Sequence, residues 1–166
     1  MKSLNISIVI VSDTRSEETD TSGKKLKELI ENDGHKIVSK IIVKDDIYQI
    51  RKIVSDYIVD DLTDVVILSG GTGITGSDGT PEAVTPLLDK VIDGFGELFR
   101  VKSYEKIKTS SLQSRALAGV ANGTFIFVLP GSKDACVTAW EHVISHQLNS
   151  DTKPCNLVML MPRLKE

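Results

Sequence analysis

The chain has 166 residues, 40% of them apolar, with 20 Lys and Arg against 23 Asp and Glu for a net charge of −3. That length is enough to bury a full core and fits one domain over 1–166, which excludes a disulfide miniprotein or a disordered tail. The mild acidity also excludes a basic nucleic-acid arm, so no nucleic-acid partner is expected. Cys136 and Cys155 are too few for a disulfide framework or a cysteine zinc site, and they point to a reduced, cytoplasmic setting.

The first apolar run, Leu4 to Val11, is broken by Asn5 and Ser7 and is too short to span a bilayer, so no membrane partner is expected. Within it, Ile6 to Val11 is β-branched and nearly all apolar, as a strand covered on both faces should be. A polar loop follows. A helix is then predicted through Leu26, Leu29 and Ile30, with Thr21 or Ser22 as cap and Gly34 as stop. Ile37 to Val43 reads as a strand. Ile47, Ile50, Ile53, Val54, Tyr57 and Ile58 form one helical stripe. Val65 to Leu68 is a third strand, running into Ser69-Gly70-Gly71-Thr72-Gly73.

This β-α-β-α-β succession is the signature of a parallel sheet with right-handed crossovers. Further on, Thr80 is predicted to cap and Pro81 to open a helix reaching Leu88. Helices are expected near Gly96 to Tyr104, Ser110 to Leu117 and Asp134 to Ser145. Thr124 to Leu129 is another buried strand, and Asn156 to Met161 is expected to add an edge strand. The predicted fold is a three-layer α/β/α sandwich with a mostly parallel, Rossmann-like central sheet.

In such sheets ligands bind beyond the carboxyl ends of the strands, at the topological switch point. Four segments should meet there: Ser12 to Arg15, Lys44 to Asp46, Ser69 to Gly79 and Pro130 to Lys133. Gly70, Gly71 and Gly73 let backbone N–H groups approach a phosphate or a flat ring, although a plain flexible turn fits the same glycines. The spacing Gly71-x-Gly73-x-x-Gly76 imitates a dinucleotide fingerprint, but it follows the third strand and does not open a helix. A nicotinamide dehydrogenase has only that spacing in its favour. Asp46 precedes Ile47 as an N-cap should. Asp45 and Asp78 have no such duty, and paired rim acids suit a divalent metal such as Mg²⁺ or are simply solvated loop acids. His142 and His146 stand at i, i+4 but lack a third ligand and read as a polar helix face, while Cys136 reads as packing.

Several segments together resemble the signature of the MoaB/MogA family of molybdenum cofactor biosynthesis. They are Ser69 to Ala83 (SGGTGITGSDGTPEA), Gly94 to Glu97, Ser114-Arg115-Ala116 and Leu129 to Ser132. Ser110 to Asn122 and Pro154-Cys155-Asn156 are similar to its MoaB branch in particular. The resemblance implies a molybdopterin-binding fold and Mg²⁺-dependent adenylyl transfer. In that reaction the terminal phosphate of molybdopterin attacks the α-phosphorus of ATP and pyrophosphate leaves. The family's two acidic positions match Asp45 and Asp78, implied to be catalytic and metal-holding. Ligand contacts are expected from Ser12 and Asp13 and from Gly70, Gly71, Thr72 and Gly73. Ser111, Ser114 and Arg115, then Pro130, Gly131 and Ser132, complete the expected set, with Lys133 as a further cation.

Two positions depart from the pattern: Ser77 replaces a frequent basic residue, and Gly79 a frequent β-branched one. A lost cation at 77 would weaken phosphate binding by about 1–3 kcal/mol unless a neighbour substitutes. A carrier that holds molybdopterin without adenylating it is the alternative function. The resemblance also implies a homotrimer or a hexamer of paired trimers. Phe95, Leu98, Phe99 and Tyr104 are either a subunit face or core.

Overall fold

In the computed structural model, which describes residues 1–166, β1 (Asn5–Val11) is the hinge of the topology. It pairs in parallel with β2 (Lys36–Val43) on one side and with β3 (Val65–Ser69) on the other. β3 continues in parallel to β6 (Thr124–Leu129). β5 (Leu117–Ala121) and the two-residue β4 (Lys90–Val91) close that edge antiparallel, giving the order β2-β1-β3-β6-β5-β4. The sheet is therefore mostly parallel, as expected.

Alternation along the strands divides the core. Ile6, Ile8, Ile10, Val65, Ile67 and Phe127 pack under α1 (Thr21–Asn32), α4 (Asp93–Ile107) and α5 (Lys133–Ala139). Val9, Val11, Val66, Leu68, Ile126 and Val128 pack under α2 (Ile47–Val59) and α3 (Thr80–Val84). Apolar side chains on both faces require cover on both faces, and helices supply it. Each fully buried Leu, Ile, Val or Phe contributes about 1.5–3 kcal/mol of transfer free energy.

Several local expectations change. The α1 cap is Asp20, one residue before the expected Thr21, and its carboxylate accepts from the Gly23 N–H at 2.8 Å. Thr80 does not cap α3; Gly79 holds the cap position, and the Thr80 hydroxyl donates instead to the Gly70 carbonyl at 2.7 Å. The predicted helix to Leu88 ends at Val84 and tightens to a 3₁₀ turn, Thr85–Leu87. Ser110 to Leu117 is not a helix but a 3₁₀ turn, Lys108–Gln113, followed by the start of β5. β5 and β6 form a hairpin around Asn122 and Gly123, whose φ values of 48° and 80° suit a tight turn of the hairpin hand.

The expected edge strand at 156–161 is also absent. Buried Asn156 donates to the Ser150 and Thr152 carbonyls and accepts from the Met159 N–H, bending the chain into a 3₁₀ turn, Val158–Arg163. The last long helix switches to a π turn over Trp140–Ile144 before ending at Gln147.

Candidate functional site

The carboxyl ends of β1, β2, β3 and β6 meet on one rim through backbone contacts. Ser12 N–H donates to the Val43 carbonyl at 2.9 Å, and Gly70 N–H to the Leu129 carbonyl at 2.9 Å. Gly70 has φ +115°, and a Cβ there would lie 2.1 Å from the Val11 carbonyl oxygen, so only glycine permits this approach. Gly71, at φ +68°, would set a Cβ 2.3 Å from the Thr80 hydroxyl. The glycines are thus required by the fold of the loop as well as by any ligand.

Asp45 and Asp78 come together beside this loop. Both line a cavity of about 390 Å³, with Tyr48, Ser77, Gly79 and Glu82 among its walls. Half-buried Asp45 accepts from the Gly79 N–H at 3.2 Å. Burial raises its pKa, and the negative charges of Asp78, Asp13 and Glu82 raise it further. Asp78 is held below the ordinary carboxylate range, first by the Thr75 hydroxyl. That hydroxyl donates to Asp78 Oδ2 at 2.6 Å and the Thr75 N–H donates to the same oxygen at 3.0 Å. The Gly73 backbone N–H lowers the Asp78 pKa further.

These residues fit a divalent cation. Asp45, Asp78 and Glu82 place negative charge around one cavity; Arg115 pairs with the Glu82 carboxylate, and Arg51 donates to the Glu82 carbonyl at 3.0 Å. No group of three His, Cys, Asp or Glu converges anywhere in the chain. Mg²⁺ characteristically takes one or two carboxylates, with its remaining ligands from water and substrate phosphates.

A second cavity of about 350 Å³ adjoins the first, and Asp78 lies in the walls of both. Gly71, Thr72, Gly73, Ser114, Pro130, Gly131 and Ser132 line it, all expected ligand residues. Ser111 falls outside it: part of the Lys108–Gln113 turn, it lines a different cavity with Arg100 and Tyr104, and Ser110 stands at the wall. Ser12 and Asp13 line neither cavity: the Ser12 hydroxyl accepts from the Thr14 and Arg15 N–H groups, and Asp13 accepts from the Asp45 N–H. Gly70 is buried behind the wall, against Gly131. Arg115 also lines neither cavity, its guanidinium being bonded to Gly73, Asp78 and Glu82.

Sequence reasoning missed the α4 wall. Phe99, Ser103, Lys106 and Ile107, continued by Ser110, face the cleft between α4 and α5, and Lys106 Nζ donates to Thr138 Oγ1 at 3.0 Å. The spacing of Phe99, Ser103, Lys106 and Ser110 is that of a helical stripe, and three polar residues on it were the available signal. The bland readings of the remaining candidates hold. Cys136 is buried, its thiol pushed up to about 11 by burial, and His142 and His146 are exposed.

A mostly parallel sheet covered by helices on both faces, with two adjoining cavities beside the glycine loop, defines an open α/β domain with its cleft at the carboxyl ends of the strands. More narrowly, the chain belongs to the family described as "Probable molybdopterin binding domain", whose model matches residues 7–150. It is 52% identical over 161 residues to Molybdenum cofactor biosynthesis protein B of Escherichia coli (strain K12), spanning 97% of this chain and 93% of that protein. It is 44% identical over 142 residues to the protein of the same name from Bacillus subtilis (strain 168), spanning 85% and 84%.

A crystal structure of a Molybdenum cofactor biosynthesis protein B superposes with a TM-score of 0.86 at 47% identity, covering 89% of this chain and 92% of that one. The tungsten cofactor synthesizing protein MoaB from Pyrococcus furiosus superposes at 0.76 and 36% identity, covering 85% and 90%. The expected family and fold are borne out, and the chain's role lies in molybdenum cofactor biosynthesis. No helix is long and apolar enough to cross a membrane.

Proposed function

We propose that this chain transfers AMP from ATP to the terminal phosphate of molybdopterin. The observation that carries this reading is the junction of two cavities at Asp78. A reaction between two bulky anions needs two adjoining sites and a fixed negative group between them to hold a cation. A terminal phosphate oxygen forms a bond to the α-phosphorus of ATP, and the bond from that phosphorus to the β-bridging oxygen breaks. Pyrophosphate departs with those electrons.

Because the attacking group is already an anion, no side chain has to remove a proton. Asp78, with Asp45 beside it, would hold Mg²⁺, which supplies charge screening between the phosphates. Lys106 provides the cation of the cleft between α4 and α5, and the hydroxyls of Ser103, Ser110, Ser114 and Ser132 provide adaptable donors around it. Molybdopterin is assigned to that cleft and ATP to the acidic cavity under Tyr48. The two free cysteines suit a reduced, cytoplasmic setting.

The test is an assay with molybdopterin, ATP and Mg²⁺. Asp78→Ala is expected to lower turnover by roughly 10²–10³-fold, the usual loss for one preorganised electrostatic group. Unchanged formation of adenylyl-molybdopterin in that variant rejects the assignment of Asp78. Molybdopterin binding without any Mg²⁺-dependent ATP affinity would establish the carrier reading in its place.

A further inference from the structure

One side chain from outside the glycine loop ties its two ends together. Arg115 Nε donates to the Gly73 carbonyl at 2.8 Å, and Nη2 donates to the Asp78 carbonyl at 3.2 Å. Nη1 donates to the Glu82 carboxylate in the first turn of α3, and the Arg115 backbone N–H donates to the Thr72 carbonyl at 3.3 Å. Between the two tied carbonyls, residues 74–77 are exposed and belong to no helix or strand.

A guanidinium presents its donors in a rigid planar fork, so it can hold three divergent acceptors at fixed spacing where a single ammonium cannot. We infer that Arg115 and Glu82 form a clamp that positions Asp78, so that Arg115 is a positioning residue and not a phosphate ligand. This rests on the adenylyl-transfer reading for its catalytic consequence. Glu82 anchors the fork, the fork fixes the Gly73 and Asp78 carbonyls, and Thr75 then aims the Asp78 carboxylate.

The two roles for Arg115 predict different effects of one substitution on turnover. If Arg115 bound phosphate, Glu82→Gln would release its guanidinium and remove a negative charge beside the triphosphate, tightening ATP. If Arg115 is a clamp, Glu82→Gln frees an anchor and lowers turnover. The experiment is steady-state kinetics of the full chain with molybdopterin, ATP and Mg²⁺, alongside hydrogen exchange of the amides of residues 73–79. Arg115→Ala is expected to lower kcat on the order of 10²-fold, as a misplacement of about 1 Å can do, with KM for ATP within about threefold. Glu82→Gln moves kcat the same way by less, Arg115→Lys fails to rescue, and the double variant is no worse than Arg115→Ala.

Loop exchange should quicken roughly tenfold in both single variants, the equivalent of one or two net hydrogen bonds lost. Unchanged or faster turnover in Glu82→Gln overturns the clamp, as does unchanged loop exchange in Arg115→Ala. A wild-type chain that does not adenylate, yet whose loop exchange quickens in the variants, rejects the adenylyl-transfer reading and leaves the clamp as a device that shapes the binding loop.

Discussion

Asp45 and Asp78 carry the same functional group in opposite environments. Asp78 is lowered by hydrogen bonds from Thr75, whereas Asp45 is raised by burial and by three acidic neighbours. An acid raised in the folded state binds its proton more readily there than in the unfolded chain. Its contribution to stability therefore falls as pH rises from the ordinary value of 3.8 through the folded-state value, and stays unfavourable above it. Without a cation, ionised Asp45 at neutral pH is a cost to the fold.

Asp45→Asn should accordingly raise the thermal midpoint of the metal-free protein at pH 7 while lowering adenylyl-transfer turnover, with the stability gain vanishing below pH 4. Thermal denaturation over that pH range checks both signs, and a lower midpoint at pH 7 contradicts the argument. Both acids were legible in the sequence because each follows a strand end or glycine loop without a local capping role. Arg115 was legible as a functional cation, but its orientation was not. Nothing in Ser114-Arg115-Ala116 states that the guanidinium turns back onto the loop and away from the cavities.

At the scale of elements, the parallel half of the sheet could be read because β-branched runs alternate with single-face helical stripes. The antiparallel edge could not. β5 is Leu-Ala-Gly-Val-Ala, small residues with little strand character, and they are small for a reason visible only in the packing. A Cβ on Gly119 would stand 2.6 Å from both the Lys90 carbonyl oxygen of β4 and a Leu88 methyl. Asn122-Gly123 was the one local hint of that hairpin.

The N-terminus of α1 shows a similar dependence on tertiary contacts. Asp20 is 1% exposed, caps the helix through Gly23 and lies 2.8 Å from Lys40 Nζ on β2, joining the helix start to the outer strand of the sheet. Asp20→Ala should cost about 1–2 kcal/mol, the range for a lost cap, because Glu17 at 2.9 Å still partners the Lys40 ammonium. Urea denaturation measures this, and a change below about 0.5 kcal/mol would show the cap and ion pair to be dispensable.

For the whole molecule, the net charge of −3 means that the two anionic substrates proposed above cannot be drawn in by the overall field. Capture must be local, and α4 shows how assembly bears on it. Phe95 and Phe99 are core, 4% and 1% exposed, but Leu98, Val101 and Tyr104 on the same helix are 57%, 60% and 52% exposed. The four aromatic and leucine side chains read from the sequence as either face or core divide evenly between the two. Val91 and Leu112 extend the exposed apolar surface on neighbouring segments.

Such a face is rarely left uncovered, and the cover proposed here is further copies of the same chain, as a trimer or paired trimers. A stable interface buries about 800 Å² per partner, so a charge placed within it should be decisive. Val101→Glu is expected to convert the oligomer to monomer in sedimentation velocity at micromolar concentration. Ser103 and Lys106 project from the same helix into the cleft assigned to molybdopterin. The monomeric variant should therefore bind molybdopterin more weakly while keeping its ATP affinity, since the acidic cavity is built from α2, α3 and the glycine loop and does not touch α4. A wild-type chain that sediments as a monomer would mean that the apolar face serves a different partner.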